Sequence, residues 1–243
     1  MIDSKKSSDN GTPLKISRGG RYRHAWWSLY MPCYLLMYTL VEKAVPGNSD
    51  YWVSYLPIDD RIPFIAEFVY SYVLWYPLLI AVALWLIFKD AAAFRRYMWS
   101  IIIGFTGSTL FCFLFPNGQN LRPEVIPGNS LAAFLVRQIH LADTNTNVLP
   151  SVHVIGSFCV LFAILDSATV SKFWRACAAI LIILINLSTV FIKQHSVLDV
   201  YAGIAVSGLL YVLVYIIIRR FQEHAGADEQ VNNKNQVQEK VMS

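Results

Sequence analysis

The sequence predicts an all-α membrane protein, a bundle of six transmembrane helices, and three observations carry that prediction. Of 243 residues, 56% are hydrophobic and 15% charged, with a mean hydropathy of +0.45, more apolar than an ordinary soluble domain. Apolar runs of about 20 residues, the length that crosses a roughly 30 Å hydrocarbon core, recur at about 25–42, 63–88, 97–115, 150–168, 174–192 and 198–220. None alternates with the period of two that marks a membrane barrel strand, so helices must satisfy the backbone in lipid.

Taken in order, residues 1–20 are rich in Ser, Lys, Gly and Asp and read as a mobile polar tail. The first span follows mostly polar residues, and no small-residue cleavage site precedes Glu42 and Lys43, so it is expected to be retained rather than removed as a signal peptide. Tyr22, Trp26, Trp27 and Tyr30 at one end, and Tyr51, Trp52 and Tyr55 beyond the other, fit interfacial anchoring. The third and fourth spans are joined by a long connection, 116–149. Asn117-Gly118 and Pro127-Gly128-Asn129 signal turns there, while Leu131, Phe134, Leu135 and Ile139 recur at helical spacing. A short amphipathic helix at the outer interface is expected. The spans form one domain, 21–220, and 221–243 is a second polar tail.

Orientation follows from the cations. With both termini cytoplasmic, the inner segments hold Lys5, Lys6, Lys15, Arg18, Arg21, Arg23, Lys89, Arg95, Arg96, Lys172, Arg175, Arg219, Arg220, Lys234 and Lys240, leaving Lys43, Arg61, Arg122, Arg137 and Lys193 outside. Positive charge gathers on the cytoplasmic side, so the net charge of +4 reflects topology and implies no nucleic-acid partner. Cys33, Cys112, Cys159 and Cys177 all fall within spans without metal-like spacing and are expected to be buried, inert thiols.

Three constellations break the apolar pattern. His195 and Asp199 are four residues apart, on one helical face. A carboxylate so placed can fix one imidazole nitrogen and leave the other as base or nucleophile; the plainer reading is a polar pair that caps or links helices. A charge within a span costs about 2.5–3.5 kcal/mol, so such groups tend to be functional. In Leu149-Pro150-Ser151-Val152-His153, Pro150 and Ser151 open a helix whose first amides form an anion site. His153 stands beside it, as ligand-side imidazole or as a packing residue. Arg122-Pro123 offers planar donors on an extended backbone, or a solvated loop charge. The topology puts Arg122, Ser151, His153, Lys193 and His195 all at the outer membrane face. Two imidazoles, a carboxylate and anion donors suit phosphoryl transfer.

These residues resemble the type 2 phosphatidic acid phosphatase superfamily of integral membrane lipid phosphatases, whose blocks read K-x6-R-P, P-S-G-H and S-R-x5-H-x3-D. The counterparts are LRP at 121–123, PSVH at 150–153 and STVFIKQHSVLD at 188–199, and the resemblance covers roughly 63–215. It implies that His195 is a nucleophile forming a phosphohistidine, that Asp199 orients it, and that His153 is the general acid. It also implies that Arg122 and Ser151 bind phosphate oxygens, and that no metal or other cofactor is used. Phe115 stands where the first block has Lys, Thr189 replaces the third block's Arg, and Val152 replaces Gly. Lys193 is the candidate replacement cation.

The expected activity is hydrolysis of a lipid-linked phosphomonoester or pyrophosphate in the plasma membrane, with the site extracytoplasmic. One alternative is a lipid phosphotransferase of the sphingomyelin or inositol phosphorylceramide synthase type, whose phosphodiester donor carries less charge. Another is a non-enzymatic six-span transporter or binding protein. The partners implied are a lipid phosphate and membrane lipids; the sequence leaves the particular lipid and the oligomeric state open.

Overall fold

A computed structural model describes residues 22–44 and 50–221. The tail expected over 1–20 lies outside them, as does that expected over 221–243 from 222 onward, while Phe221 continues the last helix. The chain is mostly helical. A 3-10 stretch, Arg23–Leu29, leads into α1 (Tyr30–Ala44); then follow α2 (Val69–Val73), α3 (Trp75–Lys89), α4 (Ala91–Leu114), α5 (Leu131–Ala142), α6 (Val152–Asp166), α7 (Lys172–Phe191) and α8 (Val197–Leu210). The last helix runs on as π-helix over Tyr211–Ile218, a wider winding.

Four helical segments are long and apolar enough to cross a membrane: Ala66–Lys89, Ala91–Leu114, Lys172–Phe191 and Val197–Phe221. The runs expected to cross at 25–42 and 150–168 correspond to α1 and α6, of 15 residues each, about 22 Å of helix at 1.5 Å per residue. The run at 63–88 opens with a 3-10 turn, Ala66–Phe68, and breaks at Leu74 between α2 and α3. Pro77 explains the break, since it lacks an N–H and its ring crowds the carbonyl four residues earlier.

At the core, α4 packs on α6, and α6 on α7 and α8. Phe94, Ile101, Phe105, Ile155 and Ile185 are fully buried there. Gly203 sets the approach of α8 to α6: a Cβ at that position would lie 2.8 Å from Val154 Cβ and 3.1 Å from the Ser151 carbonyl. At one end of the bundle Asp90 caps α4 by accepting from the Ala93 amide, and Asp166 closes α6 with ion pairs to Arg96 (2.6 Å) and Arg219 (3.0 Å).

The other end holds the connections that build the site. Residues 52–53 form β1 and 117–118 form β2, a parallel pair with Trp52 opposite Asn117 and Val53 opposite Gly118. Asn117-Gly118, expected as a turn, is therefore a strand. Gly118 is needed because a Cβ would meet the Tyr51 ring at 2.6 Å. Helix α5 lies where the sequence places it, capped by the Ser130 hydroxyl. It packs Ala132 and Val136 against Val69, Tyr72 and Ile192, leaving Leu131, Phe134 and Leu141 exposed.

The cysteine expectation holds for two of four. Cys112 and Cys159 are buried, Cys177 is half-buried and Cys33 is exposed on α1, because only one face of that helix meets the bundle.

Gly203→Ala is expected to destabilise the protein by about 1–3 kcal/mol through overpacking. At Gly208 nothing lies within 4 Å of an added Cβ, so Gly208→Ala is expected to stabilise by about 0.5–1 kcal/mol through lower chain entropy. Denaturant unfolding in detergent reads both signs.

Candidate active site

Three chain segments meet where α6 and α8 begin. Helix α8 opens with a capping box: Ser196 Oγ accepts from the Leu198 amide at 3.0 Å, and Asp199 Oδ2 accepts from the Ser196 amide at 2.9 Å. That fold-back buries the Asp199 carboxylate completely and turns it to His195, whose Nδ1 lies 3.3 Å from Oδ2. An ionised carboxylate only accepts, so the proton of His195 sits on Nδ1 and its Nε2 carries the lone pair. Ser54 Oγ donates to Asp199 Oδ1 at 2.5 Å, and the Ser151 amide donates to the Asp199 carbonyl at 3.2 Å. One residue thus fastens α8, the start of α6 and the segment after β1.

On α6, Ser151 caps the helix through the Val154 amide, and His153 turns inward one residue into the helix. Its ring lies between Tyr72 and Trp75, with centroids at 4.5 and 4.4 Å. It faces His195 edge-on at 5.6 Å. Buried His153 Nε2 has no hydrogen-bond partner among the described residues, an unusual state for a buried polar atom. Both imidazoles line a cavity of about 280 Å³. Its polar lining includes Glu42, Asp143, Thr144, Asn147 and Gln194, and its rings include Tyr38, Tyr72, Trp75 and Tyr76.

The polar residues that the sequence singles out converge only in part. His153, His195 and Asp199 come together. Arg122 is half-buried behind the cavity wall: Nη1 donates to the His140 and Asp143 carbonyls (3.1 and 2.9 Å), and Nη2 to the Thr144 carbonyl (2.7 Å) and Gln194 Oε1. Burial pulls its pKa down, opposed most by Asp143. Lys193 turns away from the cavity, its Nζ donating to the Asp59 and Ile62 carbonyls at 2.9 and 2.7 Å. Burial lowers its pKa, with Asp59 and Asp60 opposing. Ser151 is fully buried at its cap. Thr189 is buried too, and its carbonyl receives the amides of Gln194 and His195, so the position where the resemblance predicts Arg serves the turn into the site. Among the described residues neither Arg nor Lys lines the cavity.

Several residues that sequence reasoning passes over hold the site in place. Asp59, fully buried, accepts from the Leu56 and Val197 amides and from Ser196 Oγ, each at 2.8 Å. Asn117 Oδ1 accepts from the Val148 and Leu149 amides at 3.0 and 2.8 Å, which fixes the chain just before Pro150. Gln119 Nε2 donates to the Lys193 carbonyl at 2.9 Å. Apart from the Leu56 amide, which is local to Asp59, each of these bonds links residues too far apart in sequence for a local pattern to show them. Among the described residues no group of three or more His, Cys, Asp or Glu side chains is placed to hold a metal ion.

His140 Nε2 bonds the Ile192 carbonyl at 3.0 Å. Burial, then the neighbouring Arg122 charge, lower its pKa to about 4 from 6.5. The folded protein therefore binds this proton more weakly than the unfolded chain, and stability falls as pH drops from 6.5 to 4. Thermal midpoints measured across that interval are expected to fall less in His140→Gln. For Lys193→Met the expected outcome is a loss of about 1–3 kcal/mol of stability, from two buried carbonyls left unpaired. Phosphate-analogue affinity is expected to hold; a loss greater than about tenfold would make Lys193 a ligand.

A family model described as the PAP2 superfamily matches residues 39–213, more than half of the chain and all three constellations. No curated protein and no solved structure matches.

Proposed function

The chain belongs to the PAP2 superfamily, and from that premise we propose that it cleaves a phosphoester of a membrane lipid through a phosphohistidine at His195. Membership and the apolar helices make it an integral membrane protein with phosphatase-type chemistry. The observation that carries the finer reading is the pair of cavity-lining imidazoles 5.6 Å apart, one backed by a buried carboxylate and the other with an Nε2 that has no hydrogen-bond partner among the described residues.

In the first step Nε2 of His195 bonds to phosphorus as the bond from phosphorus to the leaving alcohol breaks. His153, protonated, gives its proton to the departing oxygen. In the second step water attacks phosphorus, passing a proton to His153, and the bond from phosphorus to His195 breaks. Asp199 keeps the His195 proton on Nδ1 throughout and stabilises the positive charge that develops on the ring. The α6 amides and, from behind its carbonyls, Arg122 supply positive potential for the phosphate, with Ser151 holding the helix start in place.

For topology we propose six crossings, with α1 and α6 as the short ones, both termini cytoplasmic, and the site extracytoplasmic in the plasma membrane. Fifteen of the 20 Lys and Arg residues then lie inside, as cation asymmetry favours.

Hydrolysis of a terminal lipid phosphate is the first reading. One observation favours a second, transfer of a head group from a phosphodiester lipid: among the described residues the cavity is lined by no Lys or Arg, and a diester carries one negative charge where a monoester carries nearly two. Labelled lipid phosphate supplied with and without a lipid alcohol separates the two, as phosphate released or label transferred. His195→Ala is expected to abolish both. In Asp199→Asn turnover is expected to fall about 10²–10⁴-fold, with the acid-labile, alkali-stable label on the protein falling in step. Turnover that survived both His195→Ala and His153→Ala would overturn the mechanism.

A further inference from the structure

The cavity that meets the two histidines is lined by acids and aromatic rings. Its titratable lining, histidines aside, consists of two carboxylates and four tyrosines. Glu42 Oε1 accepts from the Thr144 amide at 2.9 Å, which ties the end of α1 to the α5–α6 connection. Asp143 Oδ1 accepts from Tyr38 at 3.0 Å, and Oδ2 meets Gln194 Nε2 only at 3.5 Å. Arg122 lies close by, yet its Nη atoms go to three carbonyls and Gln194.

Two further groups point to a ligand independently of the acids. His153 and Asn147 are each more than nine-tenths buried, both line the cavity, and His153 Nε2 and Asn147 Oδ1 lack partners among the described residues. Buried polar atoms without partners are costly, and here they border the space a substrate would fill. The aromatic wall adds to this, because ring faces attract a desolvated ammonium.

Resting on the second, phosphodiester form of the phosphohistidine reading, we propose that the substrate's head group bears a cationic amine, primary or quaternary. The nitrogen is held by Asp143 and Glu42 among the rings of Tyr38, Trp75 and Tyr76, while the adjoining phosphodiester reaches His195. Burial and the neighbouring Glu42 raise the pKa of Asp143, so a bound cation relieves a charge that the empty cavity disfavours. A zwitterionic phosphodiester also brings a single negative charge to a cavity that, among the described residues, is lined by no Lys or Arg.

The test is equilibrium binding by calorimetry to the purified full chain carrying His195→Ala, where turnover cannot deplete the ligand. Four short-chain lipids with the same tails serve as probes: phosphatidylcholine, phosphatidylethanolamine, phosphatidylglycerol and phosphatidic acid. At least one ammonium lipid is expected to bind about tenfold or more tighter than the glycerol and phosphatidic acid probes, and the first two probes separate a quaternary from a primary amine. Equal affinities, tighter binding of either other lipid, or no measurable binding of any would overturn the proposal. Asp143→Asn with Glu42→Gln is expected to erase the preference, and the four-lipid comparison stands without that variant if it does not fold. Protein labelling by unaltered chain is read separately. Selective binding without a phosphohistidine sinks the chemistry and keeps the cation site; a phosphohistidine without selectivity does the reverse.

Discussion

The buried carboxylate of Asp199 is the constraint on which the rest of the site depends. It caps its own helix, accepts from Ser54, and stands behind His195, while its carbonyl takes the Ser151 amide. A buried carboxylate is tolerated only when its lone pairs are used, and here every partner that uses them is also a part of the site. The geometry of His195 is thus inherited from the packing of α6 on α8. Gly203 permits that packing by letting the two helices approach at the level of Ser151.

Positive charge is arranged unlike the family pattern. Arg122 and Lys193 are both present and both engaged with backbone carbonyls, so they organise the connections 140–144 and 59–62 around the cavity. A guanidinium satisfied by carbonyls still projects potential, but it does not grip oxygens bidentately. The sites that hold the chain ends of α5 and α7 together are the same groups that elsewhere would be read as ligands.

How much of this was legible follows from interaction range. The apolar runs gave the helices, and the helical spacing of Leu131, Phe134, Leu135 and Ile139 gave α5, because both are written in residues a few positions apart. His195 and Asp199 were legible for the same reason, and Ser151 with His153 nearly so. Ser54, Asp59, Asn117 and Gln119 were not: their partners lie between 31 and 145 residues away, and no periodicity records that. Asn117-Gly118 misled, since a dipeptide suited to a turn equally suits a strand whose glycine must clear Tyr51. The direction of Lys193 was not legible, because sequence position does not show which way a side chain turns, here to the Asp59 and Ile62 carbonyls.

The brevity of α6 has a consequence for how a lipid would be handled. In a six-crossing arrangement a 15-residue helix falls roughly 8 Å short of the hydrocarbon thickness. With its other end anchored by Asp166 to Arg96 and Arg219, the missing length falls at the histidine end. His153 then sits below the plane where head groups normally lie. On the proposed function, a lipid would meet the site by sinking its head group between helices while its tails stay among their neighbours. Catalysis at that depth would work on a molecule already in the bilayer, and the shortfall of one helix would dehydrate the phosphate before it meets His195.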